Sequence, residues 1–232
     1  MKLVLVPGMM CDHRLFTPQI AAFADSLDII VADISGADSI EALARSVLEQ
    51  SGSGPFALAG LSMGAIVAME VLRQAPNRVE RLALLDCNYR AELPERAARR
   101  TGEMARAQSG ELEQMIAEQV APSYFTVPGK SEPRLTSLVL DMALSLGPAV
   151  FVRQSLAVRG RADQSQTLGQ SKVPTLILCG EYDRVCPPEM HEDLHGLMTN
   201  ASLVKISNAG HLPTLDQPLE TNSALSEWIT PR

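Results

Sequence analysis

The sequence predicts an α/β fold: a mostly parallel sheet of about six strands with helices on both faces. Three observations carry this expectation. Short aliphatic runs recur at 3–6, 28–32, 56–59, 81–85, 175–179 and 203–206. They are continuous rather than alternating, as strands buried on both faces must be. Segments with a helical stripe of apolar residues lie between them, and strands alternating with helices give a parallel sheet covered on both sides.

The first run stops at Pro7-Gly8, a turn signal. In 39–49 the stripe is Ile40, Leu43, Ala44, Val47 and Leu48, with Asp38 and Glu41 placed as a capping box. The third run meets Gly60-Leu61-Ser62-Met63-Gly64 and then a helical pattern over 63–75. After the fourth run the rhythm breaks. Between 91 and 165 there is no strand pattern, only helical ones at 92–107, 111–121, 131–146 and 148–159. This divides the chain into a core of 1–90 and 166–232 and a helical cap of 91–165. Leu135, Leu138, Val139, Met142 and Leu146 share one helix face, while Leu140 and Leu144 lie elsewhere on the wheel. A helix apolar on two faces is sandwiched or lines an apolar cavity, which makes Leu138 and Met142, with Met10 near the first turn, candidate substrate-lining residues. Helices follow at 187–198 and 217–229; the second has Pro218 in its first turn and Leu225, Trp228 and Ile229 on one face.

A chain of 232 residues that is 46% hydrophobic fills a sizeable core. Its net charge of −7 repels phosphate backbones and anionic membranes, so neither nucleic acid nor a membrane is an expected partner. Acidic and basic residues balance within 91–165, so the negative charge belongs to the core segments. The N-terminal apolar run is too short for a signal-peptide core, and no run approaches a membrane span; a cytoplasmic location is the expectation. Cys11, Cys87, Cys179 and Cys186 lack zinc-ribbon spacing and read as buried small hydrophobes. No cofactor and no metal is expected.

Gly-x-Ser-x-Gly between a strand and a helix raises Ser62 on a sharp turn at the C-terminal edge of the sheet, a nucleophile's position. Such a serine needs a base and an orienting acid. His211 stands in a loop after the last strand, on the same edge. Asp183 follows the fifth strand through a Gly turn, where a turn-shaping role is equally open, and Asp86 after the fourth strand is the reserve. On the first cap helix, Arg96, Arg99, Arg100 and Arg106 invite an anionic substrate. Glu92, Glu95 and Glu103 lie four residues from arginines, however, and read more simply as a self-paired, solvated face.

The stretches VLVPGMMCDHRLFTPQ, LAGLSMGAIVAMEVLRQAPNRVERLALLD, VRGRADQSQTLGQSKVPTLILCGEYDRVCPPE and NAGHLPTLDQPLETNSALSEWI together resemble the α/β-hydrolase-fold serine hydrolases of the small esterase, thioesterase and lactonase type. The resemblance spans nearly the whole chain, with Pro7 where the family has a histidine. It implies a triad in the order Ser62, Asp183, His211 and oxyanion-hole amides at Met9 and Met63. It also implies a small-molecule acyl substrate, cleaved as ester, thioester or lactone through an acyl-enzyme. Relatives with the same three groups cleave C–C bonds or act as ligand receptors, and both remain alternatives. Two antiparallel strands that usually open the family fold are missing, which exposes 28–32 as an edge suited to pairing with a second copy. A rival motif, His191-Glu192-x-x-His195, has zinc-peptidase spacing but no third ligand at the expected distance.

Overall fold

The computed structural model describes residues 1–130 and 132–230. Six parallel strands form one sheet: β1 (Lys2–Val6), β2 (Asp28–Val31), β3 (Phe56–Leu61), β4 (Val79–Leu85), β5 (Thr175–Gly180) and β6 (Ala201–Ile206), in the order β2-β1-β3-β4-β5-β6. Each expected strand is present; β1, β3, β4, β5 and β6 run one or two residues past one expected end, and β2 stops one residue short. All six strands are parallel, and β2 and β6 are the edges of the sheet among the described residues.

Alternation along the strands sorts the core. Val4 and Val6 of β1 and Leu58 of β3 pack on one face against Ile40, Leu43, Ala44 and Val47, the stripe of α2 (Ile40–Gln50), and against α3 (Met63–Gln74). Leu3 and Leu5, with Ala57 and Ala59, face the opposite layer, where α1 (Thr17–Phe23) contributes Phe23 and the C-terminal helix contributes Leu225, Trp228 and Ile229. Burial on both faces is the reason these strands are continuously apolar. Ser39, not Asp38, caps α2: its hydroxyl accepts the Ala42 amide at 3.3 Å, so the cap is a single serine rather than the expected box.

Between β4 and β5 the chain is helical, as expected: α4 (Pro94–Arg106), α5 (Leu112–Met115), α6 (Ala121–Tyr124), α7 (Pro133–Arg159) and α8 (Ser165–Gln170). Position 131, where the expected helix 131–146 begins, lies outside the described residues, as do 231 and 232. Gly147 (φ 79°, ψ 174°) and Pro148 break α7 at the point where two helices, 131–146 and 148–159, were expected. Contrary to the expectation that no run approaches a membrane span, α7 is long and apolar enough to cross one by length and composition. It buries Val139, Met142, Ala143, Val150 and Phe151 in this chain. Met104, Leu112, Met115, Ile116, Val150 and Phe151 join Met10 in a third cluster, which seats these helices over the end of β1. The chain closes with α9 (Pro188–Leu197), α10 (Pro213–Asp216) and α11 (Pro218–Ile229).

Backbone packs against backbone where β3 turns into α3. A Cβ on Gly64 would stand 2.0 Å from the Val6 carbonyl oxygen, and one on Gly60 2.3 Å from that of Gly64. Backbone occupies the space that any side chain would need. Gly64→Ala is expected to cost about 1–3 kcal/mol or more in urea unfolding. Gly36→Ala, which has no atom within 4 Å of the new methyl, leaves the unfolding midpoint in place.

Candidate active site

Among the described residues, four other than glycine adopt positive φ: Met10 (56°), Ser62 (55°), Asp86 (45°) and Asn208 (56°). Each follows the C-terminal end of a strand, so the strained backbone gathers at one rim of the sheet, and each position costs about 1–3 kcal/mol. Functional groups converge along that rim.

Ser62 links β3 to α3, and its amide is held by the Leu85 carbonyl at 2.9 Å. Its Oγ lies 3.0 Å from His211 Nε2, and His211 Nδ1 lies 2.8 Å from Asp183 Oδ2. The other oxygen of Asp183 accepts the amides of Val185 (2.8 Å) and Cys186 (3.0 Å). Burial alone would raise the Asp183 pKa, but the charge and hydrogen bond of His211 and these two amides outweigh it and hold the carboxyl below the usual range. The acid therefore stays ionised, with Nδ1 as the donor to it, and Nε2 is left to accept from the serine hydroxyl. Tyr124 of α6 covers the imidazole, with ring centroids 5.0 Å apart, and its carbonyl accepts the His211 amide at 2.9 Å.

Asp86, the reserve acid, makes no hydrogen bond to the imidazole among the described residues. Its Oδ1 accepts the Gly180 amide at 2.8 Å and ties β4 to β5. Burial and the neighbouring Asp183 charge push its pKa well up. Two buried carboxyls side by side cannot both ionise at low cost, and the one facing His211 keeps the charge.

Met9 and Met63 both line the cavity that contains Ser62. Met63 opens α3, so its amide has no partner inside the helix. No acceptor among the described residues takes the amide of Met9 or Met63. The next amide, that of Met10, is occupied by Gln154 Oε1 at 2.8 Å. Gln154 comes from α7 and also donates to the Ile34 carbonyl, so a buried side chain of the helical segment fixes the loop after β1.

The cavity has a volume of about 220 Å³. Ile66, Met115, Phe151 and Val158 supply apolar wall, and Arg96, Arg99, Arg100 and Arg161 supply charge. Leu138 and Met142 are not on it: both pack into the core cluster beneath, where α7 meets the sheet. Met10 lines a separate apolar void of about 40 Å³ beside Met9 and Tyr124. Cys186 also borders the main cavity, but burial first, and then the Asp183 charge, push its thiol pKa well up, so it is a poor nucleophile. All four cysteines are free and buried.

The zinc-peptidase reading of His191, Glu192 and His195 fails on geometry. His191 is fully buried, and its Nε2 accepts the Cys87 amide at 2.8 Å. Glu192 pairs with Lys205, and His195 reaches the Ala201 carbonyl. Among the described residues these three groups do not converge on a point where one ion could sit.

This arrangement of strained serine turn, imidazole and buried carboxylate on one rim of a parallel sheet defines a hydrolase-type site. A family model described as the alpha/beta hydrolase fold matches residues 3–218, and the chain belongs to that family. A pimeloyl-[acyl-carrier protein] methyl ester esterase of Neisseria meningitidis is 25% identical over 92% of this chain and 88% of its own length. An (E)-2-((N-methylformamido)methylene)succinate hydrolase of Acinetobacter baylyi is 24% identical over 98% of this chain and 89% of its own. Among solved structures, a thermophilic esterase of Thermogutta terrifontis with malate bound superposes with a TM-score of 0.90, at 26% identity over 99% of this chain and 89% of that one.

Two buried groups near the site set opposite pH trends in stability. Burial lowers the His191 pKa to about 4, so the folded chain resists a proton that the unfolded chain takes, and stability falls as pH drops from about 6.5 to 4. The full effect is about 3 kcal/mol. Burial raises the Asp216 pKa to about 6, so stability falls as pH rises from about 4 to 6. His191→Gln is expected to make the urea midpoint fall more steeply, or rise less, with increasing pH across this window than in the parent. Asp216→Asn, which keeps an acceptor for the Gly210 amide, is expected to do the reverse.

Proposed function

We propose that the protein is a serine hydrolase that cleaves a small ester, thioester or lactone through an acyl-enzyme intermediate. The observation that carries this reading is the unbroken hydrogen-bonded line from Ser62 through His211 to Asp183, opening on a cavity with two uncommitted backbone amides. His211 takes the proton of Ser62 as the hydroxyl attacks the acyl carbonyl. Asp183 fixes the imidazole tautomer and stabilises its cationic form. The amides of Met9 and Met63 receive the oxyanion, each such donor being worth about 10²–10³ in rate. His211 then returns the proton to the leaving group and activates water for deacylation. The helical segment 91–165 acts as the cap that bounds the substrate cavity.

The named activity of one relative, methyl ester cleavage, supports an ester as the bond attacked. The structurally similar protein from Thermogutta terrifontis is named an esterase, which supports the same reading.

Ser62→Ala is expected to lose labelling by a fluorophosphonate probe and about 10⁴–10⁶ in kcat on p-nitrophenyl acetate and butyrate. Asp183→Asn is expected to lose about 10⁴ while keeping the probe site. Equal labelling of parent and Ser62→Ala, or a folded parent inert to every ester and thioester in an acyl-length panel, would contradict the reading.

A further inference from the structure

The cavity over Ser62 carries more positive charge than its walls neutralise. The side chain of Arg161 is 5% exposed and that of Arg100 17% exposed, and both lean on a single carboxylate, Glu92, whose side chain is 1% exposed. Arg100 Nε reaches Glu92 Oε2 at 2.8 Å, and Arg161 Nη2 reaches Glu92 Oε1 at 3.2 Å. Arg161 Nε is spent on the Arg90 carbonyl at 2.8 Å. Arg99 pairs with Glu103 at 3.0 Å. Arg96 has neither ion pair nor hydrogen bond among the described residues, and Arg100 Nη1 meets only the Met9 sulfur, at 3.9 Å. Four guanidinium groups thus share two carboxylates around one cavity, in a chain whose net charge is −7.

A guanidinium taken out of water without a matching anion is costly, and two sharing one carboxylate leave a positive charge uncompensated. Such a set is retained at no benefit to the fold alone, since a well-packed apolar group of similar volume is commonly as stable. Arg161 feels this cost: burial, with the Arg100 and Arg96 charges, holds its pKa below the ordinary arginine value against the pull of Glu92. The planar fork of arginine matches a carboxylate, and the Arg100 contact with Met9 places that fork against the loop that offers an oxyanion amide.

We propose that Arg96 and Arg100, with Arg100 braced by the Glu92–Arg161 pair, form a carboxylate subsite beside Ser62, so that the preferred substrates are esters bearing a second, ionised carboxyl group. This rests on the serine-hydrolase reading and narrows it. The neutral ester is hydrolysed at Ser62, water adding across the acyl–oxygen bond to give an acid and an alcohol, while the remote carboxylate stays bound and unchanged. The small cavity suits a short diacid monoester rather than a long fatty chain.

Monomethyl and dimethyl glutarate differ by that charge and by one methyl ester group, so rates are compared per ester bond. The parent is expected to show a higher kcat/KM on the monoester, and Arg96→Gln to lower the monoester-to-diester ratio by about ten- to a hundredfold, chiefly through KM, as loss of a hydrogen bond to a charged group does. Arg106, which pairs with Glu111 and is absent from the cavity wall, serves as control: Arg106→Gln keeps the parent ratio. Monoesters of ethylene glycol with glutarate, and acetyl glycolate, separate a carboxylate on the acyl side from one on the alcohol side. Binding is read independently by calorimetry of Ser62→Ala with monomethyl glutarate, with and without Arg96→Gln. Equal affinity for mono- and diester, or affinity unmoved by Arg96→Gln, overturns the subsite whatever the turnover. Charge-selective binding without turnover by the parent overturns the serine-hydrolase reading and leaves the subsite standing.

Discussion

The contact between the serine turn and the end of β1 is the constraint on which the site depends. Gly64 lies so close to the Val6 carbonyl that no side chain fits between them. This close approach sets the loop of Met9 and Met10 beside Ser62, and it leaves the α3 N-terminus facing the same space. The strain at Ser62 and Met10 persists because continuous parallel strands, buried on both faces, hold the two turns in place. The rigid sheet therefore fixes Ser62 and the loop of Met9, and the loops after β5 and β6 bring Asp183 and His211 into hydrogen-bonded line with Ser62.

Burial then distributes charge among groups that lie close together. Asp183 keeps its negative charge because His211 and two amides face it. Asp86 gives its charge up, and His191 stays neutral and accepts a backbone amide instead of titrating. Only one buried anion remains in line with the imidazole. On the opposite wall the balance is reversed, with guanidinium groups outnumbering carboxylates.

Much of this was legible in the sequence, for physical reasons. The inner strands β1, β3, β4 and β5 are largely buried and read as continuous apolar runs, the partly exposed edges β2 and β6 were legible from shorter aliphatic runs, and Gly147-Pro148 marks the break in α7. The serine turn carries its own spacing because backbone packing demands its glycines. What escaped depends on contacts between distant segments. The i,i+4 reading holds for Arg99 and Glu103, which do pair, but the Arg100–Glu92 pair spans eight residues and Arg161 comes to Glu92 from 69 residues away, so the cavity wall these make was not readable from helix spacing. Leu138 and Met142 are apolar whether they face core or cavity, and helical periodicity does not distinguish the two. Asp86 and Asp183 both follow strands, and only the direction of each loop separates them. Gln154 shares its helix with buried Phe151, Ala157 and Val158, and being buried itself it needs partners, which it finds at Met10 and Ile34.

The most direct test of the account is a crystal structure of the protein after reaction with a small alkylphosphonate ester. The account places phosphorus on Ser62 Oγ and the phosphoryl oxygen about 2.7–3.1 Å from the amide nitrogens of Met9 and Met63. His211 should remain hydrogen-bonded to Asp183. Phosphorus on another side chain, or a phosphoryl oxygen turned away from both amides, would contradict it.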